Sequence, residues 1–375
     1  MTGVSSPSHS YMDRIGVGPS GDASAALELE AALQQLQWGD FQARWQVAKL
    51  FPSFGDAAIA PLLDLLHTID LDDDDDWELP WFIAQILGSI PHPNVVDVLV
   101  HLLTVSASTD VATMAAGGLA NLGSRAIAPL TALLEDDKTR LVAVQALAQL
   151  QDDDTLAPLL TVVQDPHPAV RVATLEALIR FDHPAVVEAM LRALGDPAAA
   201  VRRTAVIGLG LQATRLSNVD AFSPLQPLLY DPNVDVSRQV AIALGRQRSQ
   251  VATQALGEAL LSPYTSATLQ HEIIQVLGWM ETRSALQVLE QGLGHVSLAL
   301  GCDIVAALGR IKTPALRPQA AQGLMALLRS PHPLTREPSG KRAIALALGY
   351  LGDRSAVAAL TPLLDDEDAS VRLHA

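Results

Sequence analysis

VRRTAVIGLG, from Val201 to Gly210, reads as one turn-spaced apolar stripe: Val201, Ala205, Gly208 and Leu209 fall at i, i+4, i+7 and i+8, one face of an amphipathic helix. The same phase returns along the chain when segments are aligned on the terminal glycine. LPWFIAQILG ends at Gly88, VSRQVAIALG at Gly245, LQHEIIQVLG at Gly278, LGCDIVAALG at Gly309 and GKRAIALALG at Gly349. Leu269, Ile273, Val276 and Leu277 match Val201, Ala205, Gly208 and Leu209. The glycines step by 35, 33, 31 and 40 residues from Gly210 to Gly349. That is the period of a unit of two helices.

The terminal glycine is expected to stop the first helix as a left-handed cap. A second helix follows, often with proline near its start: AIAPLLDLL, AIAPLTALL, LAPLLTVV, FSPLQPLL and VAALTPLL. Proline is tolerated in a first helical turn, where its missing N–H had no partner. Turns such as Asp165-Pro166-His167-Pro168, Asp196-Pro197 and Asp231-Pro232 separate the units. The expected fold is an all-α, right-handed α-solenoid of roughly ten two-helix repeats, from about Phe41 to Leu364. Residues 1–22, rich in Ser, Gly and Pro, are expected to form a disordered tail, and 23–375 a single solenoid. VRLHA at 371–375 opens another first helix. The last repeat is therefore incomplete, and its open face reads either as a fraying end or as the docking place of a second subunit.

Composition narrows the function classes. The net charge of -16 argues against a nucleic-acid partner, which needs clustered Lys and Arg. Aromatic residues, at 4%, are too sparse for a base-stacking platform. The one cysteine, Cys302, makes no internal disulfide and suits a reducing, cytoplasmic compartment. No apolar run reaches the ~20 residues of a membrane span, and no signal peptide is visible.

The first-helix pattern VR-x-x-A-x-x-ALG, with a D-P or D-D turn before it, resembles the HEAT-like repeats of the phycobilin-lyase family. The resemblance covers nearly the whole chain. It implies a protein-binding scaffold serving phycobiliprotein maturation or turnover in the phycobilisome, or iron–sulfur cluster assembly. Its implied partner is a phycobiliprotein or an iron–sulfur carrier. The alternative it implies is a phycobilin lyase or lyase subunit, which would place a bilin on a cysteine of a phycobiliprotein and often works with a second subunit. In that reading arginines pair with bilin propionates, and Glu272 or Asp303 helps proton transfer.

His271-Glu272 resembles the His-Glu pairs that carry two irons in the HEAT-like deoxyhypusine hydroxylases. Such a site needs several pairs from matched repeats, and this chain has one, so a di-iron hydroxylase is not expected. The position itself lies ~200° around the helix from the first stripe residue, so it points away from the core seam. Its members are Trp81, Arg203, Arg238, His271, Cys302 and Arg342. His271 and Cys302 lie on consecutive units and are expected to face each other. With Asp303 they are too few for a metal or cluster. The row reads either as a solvated polar surface or as one that binds a protein. A second candidate surface is DDDDDWELPWF, Asp72 to Phe82, where Trp77, Glu78 and Trp81 suit a basic, partly apolar partner. Gly16-Val17-Gly18-Pro19-Ser20-Gly21 matches a dinucleotide fingerprint literally but lacks the strand and βαβ unit it requires. No catalytic constellation and no resident cofactor are expected.

Overall fold

A computed structural model describes residues 21–71, 77–215 and 222–375. The tail to Ser20 and the aspartates 72–76 lie outside the described residues. The chain divides into two compact units, Met1–Thr155 and Leu156–Ala375.

The fold is an all-α solenoid. In the first unit, the first helices of the repeats are Phe41–Ala48, Glu78–Leu87, Thr109–Leu122 and Arg140–Gln149. Ile59–Leu66, Pro93–Val105 and Ile127–Ala132 are second helices between them. In the second unit the first helices are Pro168–Leu178, Ala199–Arg215, Val234–Gln247, Ala267–Met280, Leu298–Gly309 and Pro338–Leu351. Within each unit, a first helix packs on the next first helix, as Val234–Gln247 does on Ala267–Met280. Second helices stack likewise, as Gln250–Leu261 does on Arg283–Gly292. Among the described residues, no helix is long and apolar enough to cross a membrane.

The stripe read from sequence is the core. Val201, Ala205 and Leu209 are buried, as are Leu269, Ile273, Val276 and Leu277. Helix starts follow from local chemistry. Asn233, Ser249, Ser266, Thr282 and Ser297 each accept a backbone N–H of the turn they open, satisfying a donor that the helix itself leaves unpaired. Pro61, Pro129, Pro158 and Pro224 each stand third in a second helix, as expected. These helices are short. Ile127–Ala132 passes into a 3-10 turn at Leu133–Glu135, and Phe222–Leu225 into another at Gln226–Tyr230.

None of the aligned glycines makes the expected left-handed cap: Gly88 ends its helix in a right-handed conformation, with φ -62. Ala199–Arg215 runs through Gly210, Val234–Gln247 through Gly245, and Ala267–Met280 through Gly278. The left-handed cap falls later, at Arg248 (φ 49), Glu281 (φ 46) and Gly352 (φ 64). Most of the glycines serve close approach instead. A Cβ on Gly88 would meet Gly118 Cα at 2.4 Å, and one on Gly309 would meet Ala347 Cα at 2.7 Å. A missing side chain lets neighbouring first helices touch backbone to backbone, which is the physical reason the residue recurs at the repeat period.

Candidate functional site

The off-stripe row on the second unit's first helices forms a ladder between successive repeats. Arg238 donates from Nε and Nη2 to Glu272 Oε2, at 3.1 and 2.8 Å. His271 Nδ1 lies 2.8 Å from Asp303 Oδ2. The imidazole thus meets the carboxylate next along the chain from Cys302. Cys302 is half-buried. Burial pushes its thiol up, the Asp303 charge pushes the same way, and Arg342 opposes them, so the sulfur is held as a thiol rather than a nucleophilic thiolate. Arg203 and Arg342 are exposed, and neither makes an ion pair among the described residues. Arg203 and Arg238 line one polar cavity of about 290 Å³ with Asp235 and Gln239. Among the described residues there is no group of three or more His, Cys, Asp or Glu placed to hold a metal ion.

The tryptophan candidates belong to the first unit. Trp81 is half-buried rather than free. Its ring lies 6.2 Å from Trp45 and 5.0 Å from Phe82, and Phe41 completes the cluster at 6.5 Å. Trp77 is half-buried at the start of Glu78–Leu87. Glu78 is engaged by Arg44 Nη1 at 3.0 Å. These side chains hold two first helices together, and Phe41, 44% exposed, carries the outer edge of the cluster.

A second ladder was not coupled from sequence. Arg171 forks onto Asp196 with both bonds at 2.7 Å. Arg202 forks onto Asp231 at 2.7 and 2.8 Å. Each arginine also binds the two carbonyls of its own turn: Arg171 those of Asp165 and Pro166, Arg202 those of Asp196 and Pro197. Each aspartate accepts a backbone N–H as well, from Ala198 and Asn233 respectively. Burial alone would raise these carboxyls, but the guanidinium forks and the backbone N–H groups hold both below the usual aspartate range. Lys341 and Asp366 repeat the pair at 2.5 Å. Between them the ladder is interrupted, because Ser237, Gln270 and Gly301 occupy the arginine position. There the off-stripe pairs Arg238–Glu272 and His271–Asp303 join the repeats instead. The signal was present in the spacing: Asp165 to Asp196 and Arg171 to Arg202 are both 31 residues apart.

A family model described as HEAT repeats matches residues 67–142, 132–210 and 187–268, together more than half of the chain. A model described as PBS lyase HEAT-like repeat matches 341–366. Deoxyhypusine hydroxylase of Arabidopsis thaliana is 29% identical over 199 residues, which cover 44% of this chain and 62% of that protein. The chain thus spans less than two thirds of that relative's length. The structure of human deoxyhypusine hydroxylase is similar at 23% identity, covering 75% of this chain and 93% of that one, with a TM-score of 0.30. A chain from a structure of Kap95p with RanGDP covers 92% of this chain and 52% of its own length at 14% identity and a TM-score of 0.53, a likeness of fold. The chain belongs to the HEAT-repeat family, with repeats of the phycobilin-lyase type.

Proposed function

We propose that this chain is a docking scaffold whose contact surface is the off-stripe row of the second unit, and that its client is a phycobiliprotein. The observation that carries this reading is the pair of exposed arginines at the ends of the row. Arg203 and Arg342 are exposed and without an ion pair among the described residues, while Arg238, Glu272, His271 and Asp303 between them are already paired. Paired groups hold the surface rigid, and the exposed guanidinium groups supply forked donors to carboxylates of a partner. The PBS lyase HEAT-like match at 341–366, which includes Arg342, supports the choice of client. The chain carries one His-Glu pair where a di-iron site needs several, and here Glu272 is engaged by Arg238 and His271 by Asp303.

The test is co-purification of phycobiliprotein subunits with the wild-type chain and with an Arg203→Glu/Arg342→Glu variant, at matched helicity. Retention by the wild type and loss in the variant support the reading. Equal retention by both removes the row as the surface. Retention of an iron–sulfur carrier in place of phycobiliprotein replaces the client. Incubation with bilin and apo-phycobiliprotein decides the lyase alternative: a covalent adduct formed in the presence of this chain moves it from scaffold to lyase subunit.

A further inference from the structure

A second cavity, of about 450 Å³, lies in the second unit away from the row, where three successive first helices end. Arg248 follows Val234–Gln247, Glu281 follows Ala267–Met280, and Arg310 follows Leu298–Gly309. Small residues, Gly278 and Ala307, open the space between them. Trp279 forms one wall. It is 40% exposed, and its benzo edge rests over Gly245, where a Cβ would come within 2.9 Å of Cζ2 and Cη2. Three cations line the cavity: Arg248, Arg310 and Lys312. All three are exposed, and none makes a side-chain ion pair among the described residues.

The one carboxylate in the lining is occupied elsewhere. Glu281 Oε1 accepts the Lys312 N–H at 2.9 Å, and Oε2 accepts the Thr313 N–H at 3.1 Å together with the Thr313 hydroxyl. Glu281 therefore pins the loop that carries Arg310 and Lys312, and those bonds, with the Lys312 charge, hold it ionised, so that the lining carries three positive charges against one negative. In a chain of net charge -16, three cations against one carboxylate around an indole are a local reversal of field. Guanidinium forks bind phosphate oxygens bidentately, an ammonium adds a point charge, and an indole face takes a planar ring. The volume is that of a small-molecule pocket.

We propose that this cavity binds a small ring-bearing dianion of the aryl phosphate type, its ring on Trp279 and its phosphate shared by Arg248, Arg310 and Lys312. Titration calorimetry of the full chain with phenyl phosphate, at low ionic strength, tests it, with inorganic phosphate and benzyl alcohol as the separate halves. Phenyl phosphate is expected to bind saturably and more tightly than either half. Arg248→Gln, Arg310→Gln and Lys312→Gln are each expected to weaken it about tenfold. Trp279→Leu is expected to bring phenyl phosphate down to the level of inorganic phosphate. All three cations are on exposed side chains, and circular dichroism verifies that each variant keeps its helicity. Absence of saturable binding to the wild type overturns the proposal. So does binding that survives the Arg248→Gln/Arg310→Gln double change, or equal affinity for phenyl phosphate and phosphate. None of these outcomes bears on docking at Arg203 and Arg342.

Discussion

Arg202 and Asp231 show how much a single pair carries. Their side chains are 14% and 5% exposed, so removing the cation leaves an almost buried carboxylate without its main partner. Arg202→Met is expected to destabilise the chain by about 3 kcal/mol, read from urea unfolding followed by circular dichroism. Arg238→Met should cost far less, about 0.5 kcal/mol, because Arg238 is 43% exposed and solvent screens its pair with Glu272. Both ladders join successive repeats, and the contrast separates them by energy: one is nearly buried, the other open to solvent. The residue types at both were legible in the sequence, but the pairings were not. Phase places His271 off the core correctly. It does not choose between Cys302 and Asp303, which are adjacent on the next helix and differ by ~100° in direction. Only the packed helices make that choice.

Among the elements, the first helices were the most legible part of the chain. A stripe repeated with one phase over many segments leaves no alternative to stacked amphipathic helices. Their ends were less legible, because glycine has two unrelated uses. It caps a helix where φ is positive, as at Gly352, and it lets two helices approach, as at Gly309. In the sequence alignment Gly309 and Gly349 are equivalent. In the structure a Cβ on Gly309 would strike Ala347, whereas one on Gly349 would meet nothing within 4 Å. Gly309→Val is therefore expected to lose about 2 kcal/mol through overpacking. Gly349→Ala is expected to gain about 0.5–1 kcal/mol, since it only reduces backbone freedom within a helix. Chemical denaturation of the two variants side by side checks both signs.

For the whole molecule, the depressed carboxyls set the response to acid. Asp196, Asp231, Asp366 and Glu281 all have folded-state values below their ordinary ones. Such groups contribute stability that is fully present above the unfolded-state pKa, about 4, and is lost as pH falls through the lower folded values. The thermal midpoint is expected to be nearly level from pH 7 to about 5 and to fall steeply below about 4. An Asp196→Asn/Asp231→Asn variant should start lower and lose less on acidification, measured by thermal melts across that range.

The 31-residue identity of the Asp165–Arg171 and Asp196–Arg202 junctions has a further consequence, for how the chain can be lengthened. A repeat that offers an arginine forward and an aspartate backward fits a copy of itself. Residues 166–196 inserted a second time in tandem should be accepted as an extra rung, raising helical signal in proportion to length. The stretch around 238–303 is joined by a guanidinium–glutamate contact and then an imidazole–aspartate contact, two couplings of different gauge. A copy taken from there would meet a neighbour it does not match. The array is thus modular where Arg–Asp junctions recur and bespoke where they stop.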